Sequence, residues 1–249
     1  MAGRNDVPRE VLYYLADDPS PNVRKSIASN TATPEHADLL LAKDKNENVR
    51  SSLAEKIACL SPGFTADEQN RLRSMTYDAL SILAKDQATR VRQILSEALR
   101  DVANAPPDVI RRLAWDIEAA VATPVLRFSP ILNDEDLIEI IRANPSKGCT
   151  QTVSQRENVS NAVSSAIVDS SDTDAIALLL GNDSAQIREE TLSKVIDQVD
   201  QINLWHKPLA MRPRLPTSAA VKIAHFVADD ILKRMAARKD LTPKAYAAV

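Results

Sequence analysis

The residues that could do chemistry are few, and their spacing argues against a reaction. His36, His206 and His225 stand apart, with no HxxxH or HxxE pair, and Cys59 and Cys149 form no CxxC. A metal site needs its ligands clustered at short helical or loop spacings, so none is expected. No Gly-x-Ser-x-Gly elbow, glycine-rich phosphate loop or paired Cys/His signature occurs either. The expectation is a non-enzyme with no catalytic residue, no metal and no cofactor. One stretch is chemically distinctive: Trp205 to Pro216, W-H-K-P-L-A-M-R-P-R-L-P. Its Trp205, His206, Arg212 and Arg214 are the candidate partner- or ligand-binding residues. A large aromatic beside arginine is the composition of an interface anchor, and the two arginines could hold a phosphate. The plainer reading has Trp205 packing over the last repeat as a cap.

The elements that must position these residues follow from a repeated grammar. Leu15 and Val23 are eight apart, as are Leu41 and Val49, Leu83 and Val91, Leu113 and Val121, and Leu179 and Ile187. An arginine follows the second member at Arg24, Arg50, Arg92 and Arg188, with Ala122 the exception. An aspartate stands six residues before it at Asp18, Asp44, Asp86 and Asp116, while Asn182 takes that place in the last copy. Each copy reads as a helix, a polar turn and a second helix. Helical spacing joins Val49, Leu53, Ile57 and Leu60 into one apolar stripe, and likewise Val91, Leu95, Ala98 and Val102. A single hairpin cannot bury such a stripe, but a neighbouring hairpin can. Stacked hairpins of this kind form a solenoid. The aspartate is placed to cap the second helix or to accept from the arginine of an adjacent copy. A structural Asp–Arg ladder of Asp18, Arg24, Asp44, Arg50, Asp86, Arg92 and Arg188 is the result, setting register more than adding stability.

Composition agrees with an all-α chain. Only 4 glycines occur in 249 residues, well under the average of about 7%. Prolines mark helix starts after Thr33, Ser61 and Ala105. Thr65 to Glu68 fits a capping box opening a long helix from Ala66 to Lys85. Helix is expected to Asn104 in the third copy and from Ala105 to Ala114 in the next. Pro124 is expected in the opening turn of a second helix, and Asn133-Asp134-Glu135 starts another helix, apolar at Leu137, Ile140 and Ile141. The polar stretch from Asn144 to Thr152 reads as a loop, with helices around Val159 to Val168 and Thr173 to Leu180. The domain organisation is therefore a repeat array over 1–202 with irregular copies near 12–30, 34–60, 66–104, 106–128 and 173–200. A proline-rich basic linker at 203–216 follows, in which no regular helix is expected, then a capping helix and tail at 217–249. That helix presents Ala220, Ala224, Val227, Ile231 and Met235 on one face.

Charge is unevenly distributed. From Asn203 onward nine Lys/Arg stand against three Asp, +6, so the rest of the chain carries −9 within the overall −3. An acidic array opposes nucleic-acid binding, because neutralising phosphate dominates that affinity, and 4% aromatic residues leave little for base stacking. The N-terminus lacks a secretory signal, and no window holds 18 uninterrupted apolar residues. A soluble cytoplasmic protein is the default expectation.

The grammar L-x-x-D-x-x-x-x-V-R resembles HEAT repeats. Three stretches are more specific: Val109-Ile-Arg-Arg-Leu-Ala; Pro124-Val-Leu-Arg-Phe-Ser-Pro-Ile-Leu with Asp134-Glu-Asp-Leu-Ile-Glu-Ile-Ile; and Leu241-Thr-Pro. These resemble a bacterial family filed only as domain of unknown function, number 2336 in that series. With the repeats, the likeness covers nearly the whole chain. It implies helical repeats and transfers no catalytic residue. The expected fold is all-α, a HEAT-like α-α superhelix (solenoid) of stacked helical hairpins. The expected function is a protein–protein interaction scaffold, a bacterial regulatory or signalling adaptor whose partner is another protein. A homodimer through the C-terminal helix is a further expectation. The competing expectation is a binder of nucleic acid or an anionic small ligand through the basic C-terminal segment.

Overall fold

Alternating apolar stripes and polar turns build helical hairpins, and the computed structural model, which describes residues 4, 6–60 and 70–212, is helical with no strand among those residues. The chain groups into two compact units, residues 1–149 and residues 150–249. In the first, α1 (Arg9–Leu15) pairs with α2 (Pro21–Ser29), α3 (Glu35–Leu41) with α4 (Glu47–Leu60), α5 (Asn70–Leu83) with α6 (Thr89–Leu99), and α7 (Pro107–Ala114) with α8 (Ala119–Phe128). The second helices α2, α4, α6 and α8 lie side by side in one layer, and the first helices form the other. The unit is a superhelical stack of hairpins, and α9 (Asp134–Ala143) follows the last of them in the chain.

Burial follows the repeat. Leu41, Leu83 and Leu113 are fully buried at the ends of their helices, as are Val49, Val91 and Val121 at the openings of theirs. Leu53, Leu95 and Val125 continue the second-helix stripe one turn on and are equally enclosed. Each large side chain buried this way contributes about 1.5–3 kcal/mol of transfer free energy. Asn133 opens α9 with a reciprocal capping box, its side chain accepting from the Asp136 N–H while Asp136 accepts from the Asn133 N–H.

Several boundaries differ from the sequence expectation. Pro124 lies inside α8, not in its opening turn, because the helix already begins at Ala119. Its ring removes the bond that would reach the Ala120 carbonyl, and Ala120 is exposed, so water can satisfy that oxygen. Helix α6 ends at Leu99 and not at Asn104; two successive turns, Val102 N–H to Leu99 O and Ala105 N–H to Val102 O, carry the chain to Pro106. The expected helix start at Thr65 and the helix and tail from 217 onward lie outside the described residues.

The second unit begins within α10 (Cys149–Ser154), where a loop was expected. Its polar residues are spent on the helix itself: Ser154 Oγ donates to Thr150 O at 2.9 Å, and Cys149, Thr150 and Val153 face inward. Then come α11 (Asn161–Asp169), α12 (Thr173–Leu180) and α13 (Glu189–Ile196). Ser160 caps α11 through the Val163 N–H, and Asp172 caps α12 through the Ala175 N–H. Two 3-10 turns (Val199–Gln201 and Asn203–Trp205) lead into α14 (His206–Met211). The prolines of this stretch predict no helix, yet Pro208 sits in the first turn of α14, where no backbone N–H is needed.

Candidate interaction surfaces

The turn of every hairpin in the first unit is organised by one aspartate. Asp18, Asp44, Asp86 and Asp116 each accept from the backbone N–H two residues on, at Ser20, Asn46, Ala88 and Glu118, over 2.8–2.9 Å. These are Asx turns that fix the entry of the second helix. Four residues into that helix an arginine reaches back and forward. Arg24, Arg50 and Arg92 each donate through Nη1 to the carbonyl of their own hairpin's aspartate, at 2.7 Å. Each also grips the carboxylate of the next hairpin's aspartate with Nε and Nη2. Arg24 holds Asp44 at 2.6 and 3.0 Å, Arg92 holds Asp116 at 2.6 and 3.1 Å, and Arg50 holds Asp86 in the same fork.

This geometry ties consecutive hairpins by a two-point contact that only a planar guanidinium can make. Burial pushes the Asp44 carboxyl up, but the Arg24 hydrogen bond, the Asn46 N–H and the charges of Arg24 and Arg50 outweigh it and hold it below the usual range. The arginines are correspondingly raised by their carboxylate partners, against the opposing effect of burial. Ala122 ends the run, and the α7–α9 link is made instead by Arg111 Nε to Asp136 Oδ1 at 2.9 Å.

Arg188 stands apart from this arrangement. It is exposed at the N-cap of α13 and makes no ion pair among the described residues, because the helix starts after it and not before it. Asn182 keeps the Asx turn, accepting from the Ser184 N–H at 3.1 Å. Its amide donates to Ser154 O and Arg156 O at 2.9 and 2.7 Å, a job a carboxylate cannot do.

Trp205, His206 and Arg212 sit together at the joint between α14 and α12. Trp205 is 2% exposed and donates through Nε1 to Thr173 O at 2.9 Å. His206 Nε2 lies 2.7 Å from Val199 O. Arg212 donates to Leu180 O at 3.2 Å and Ala185 O at 2.6 Å, with Leu179 O and Asn182 O at 3.4 Å. It thus gathers carbonyls at and just beyond the C-terminal end of α12, where the helix dipole favours a cation. Burial lowers its pKa, offset in part by the charge of Asp183. Trp205 is thus enclosed against α12, the place its plainer reading as a cap describes, with no face turned outward as the anchor reading requires. Pro208 is compatible with this because it sits in the first turn of α14. Arg214 lies outside the described residues.

Two features escape the sequence reading. Asp38 of α3 and Lys56 of α4 form an ion pair inside the second hairpin, their side chains 8% and 2% exposed. Burial pushes the Asp38 carboxyl up to about 6, with Lys56 offsetting part of the effect. The signal was available: the register of Leu41 places Asp38 level with Leu12, Leu80 and Ile110, all core residues. The second feature is Phe128, at the end of α8 and 49% exposed. The guanidiniums of Arg100 and Arg127 stand 5.1 and 5.4 Å from its ring centroid. Beside Arg100, which also pairs with Glu97 at 2.6 Å, the outer face of α6 (Arg90, Gln93, Ile94, Glu97 and Ala98) lines a shallow hollow of about 620 Å³. Among the described residues no group of His, Cys, Asp and Glu could hold a metal ion, and no helix is long and apolar enough to cross a membrane.

A family model described as an uncharacterised protein conserved in bacteria (DUF2336) matches residues 121–248. The match takes in Pro124–Leu132, Asp134–Ile141 and the Leu241-Thr-Pro ending, and leaves out Val109–Ala114 and the three ladder steps, so it is shorter than the near-complete coverage expected. Comparison with curated proteins gives no match. Among solved structures the chain is similar to one described as "Crystal Structure of Engineered Protein", at 16% identity over 94% of this chain and 93% of that one, with a TM-score of 0.34.

Proposed function

The chain belongs to this bacterial family of uncharacterised proteins, and we propose that it works as a non-enzymatic protein-interaction scaffold of HEAT-like hairpins in the bacterial cytoplasm. The observation that carries the proposal is Phe128. A half-exposed aromatic ring, held between two guanidiniums on the end of a rigid helix layer, combines the residue types that dominate interface energetics. The ring is preorganised by its cation–π contacts, so little rotamer entropy is lost when a partner covers it. Arg127 and the Arg100–Glu97 pair set guanidiniums at the ring, which fits a partner offering an apolar side chain next to a carboxylate.

Affinity capture with the full chain from the native cell, run beside Phe128→Ala and Arg127→Ala, tests this. The variant proteins should keep their thermal transition within about 1 kcal/mol of stability, since Phe128 is a surface residue, and should lose the proteins that the unaltered chain captures. An unchanged set of captured proteins would overturn the assignment of this surface.

A further inference from the structure

The first hairpin is built like an internal one yet nothing described covers its outer side. Val11 is 40% exposed, whereas the residues at its position in the next three hairpins, Ala37, Ala79 and Val109, are 0–2% exposed. Leu15 and Val23 are likewise only partly buried, against full burial of Leu41, Leu83 and Leu113 and of Val49, Val91 and Val121. A hairpin whose outer side meets only water carries polar residues there. This one keeps the apolar residues that elsewhere meet a preceding hairpin.

Polar chemistry at the same end tells the same story. Asp18 makes the same Asx turn as its three counterparts, and its carbonyl takes Arg24 Nη1 just as the Asp44 and Asp86 carbonyls take Arg50 and Arg92. Its carboxylate alone in the series receives no guanidinium: Arg24 serves Asp44, Arg50 serves Asp86, Arg92 serves Asp116, and no arginine among the described residues serves Asp18. Asp17, exposed beside it, adds to the negative charge.

We propose that this end of the first unit is a docking end for an arginine-bearing helical hairpin supplied by a partner protein. The occupant's chemistry is written three times inside the molecule: an arginine four residues into a helix forks onto the aspartate, while apolar residues of the same hairpin cover Val11, Leu15 and Val23. The site is separate from the Phe128 surface, so either can fail without the other.

The test uses the full chain extended at its N-terminus by a duplicate of residues 9–34, which presents the duplicate's own arginine to Asp18. Amide hydrogen exchange is followed in α1 and α2. Seating of the added hairpin should slow exchange at Leu15 and Val23 by about tenfold or more, as a charge-assisted two-point contact with new apolar cover requires. Changing the duplicate's arginine to alanine, or Asp18→Asn in the original hairpin, should each remove most of that protection. Asn at 18 keeps the turn, as Asn182 does with Ser184, so loss of protection would not reflect loss of the fold. Unchanged exchange in the extended chain overturns the proposal. So does concentration-dependent self-association of the unextended chain that Asp18→Asn abolishes, because the occupant would then be a second copy.

Discussion

Replacing Lys56 by methionine should destabilise the protein, and adding Asp38→Leu should return it to its starting stability or beyond. Asp38 occupies a core position, and Lys56 is the group that compensates its charge. Its folded pKa of about 6 lies above the ordinary 3.8, because burial disfavours the carboxylate more than Lys56 restores it. A carboxyl raised on folding binds its proton more tightly in the native state. Stability from this group is therefore greatest below about pH 4, falls as pH rises towards 6, and is flat above. The gap of about two pKa units corresponds to about 3 kcal/mol lost between those limits. Asp44 bounds the effect on the acid side with the opposite sign. Its pKa is held down on folding, so its contribution is present above about pH 4 and lost as pH falls through the folded value. Removing Lys56 alone leaves a buried charge unpaired, at a cost of about 3–5 kcal/mol, whereas two apolar residues in place of the pair are neutral or stabilising by about 1–4 kcal/mol. At about 2–4 °C per kcal/mol, Lys56→Met should lower the melting temperature at pH 7 by about 10 °C, and the double variant should recover all of it. Differential scanning calorimetry from pH 4 to pH 8 measures both. The double variant should also lose the decline in stability between pH 4 and pH 6. A wild-type profile without that decline, or a Lys56→Met protein as stable as the wild type, would refute the reasoning.

Two further outcomes follow from the joints between helices. Arg50→Lys keeps the charge but gives up the fork onto Asp86, so the urea midpoint should fall by the equivalent of about 1–3 kcal/mol, while Arg188→Lys, at an exposed position with no ion pair among the described residues, should stay within about 0.5 kcal/mol. Arg212→Ala should free the carbonyls at the end of α12 and cost about 1–3 kcal/mol, seen as faster amide exchange in α14. If Arg212 instead served an external anion and not this joint, exchange would be unchanged.

How much of this was legible depended on whether a residue's role is local in sequence. The Asx turn spans two residues and the arginine's contact with its own turn spans six, so both leave a fixed offset, the first recurring in four copies and the second in three. The arginine's second contact, with the next hairpin, runs over 20 residues at Asp44 and 36 at Asp86; it is readable only because the first contact sets the register at both ends. Arg188 shows the limit. The letters keep the offset, but the helix begins one residue after the arginine instead of three before it, so the side chain never points along the stack.

The same reasoning explains what was missed. A charge in an amphipathic helix is assumed to face water, and Asp38 sits beside exposed neighbours such as His36; only alignment on Leu41 shows that it falls where other hairpins bury leucine or isoleucine. For Trp205 and Arg212 the sequence offers composition alone, an aromatic among basic residues and prolines, which leaves open both a loop offered to a partner and a cap folded back on its own helix. A single proline's place in the turn makes the second arrangement possible. At the third residue of α14 Pro208 costs no hydrogen bond, so the short helix forms, Trp205 is carried against Thr173, and Arg212 arrives at the end of α12. In this chain it is therefore backbone accounting, more than the identity of the side chains, that separates the groups turned inward from those, such as Phe128 and Asp18, left facing outward.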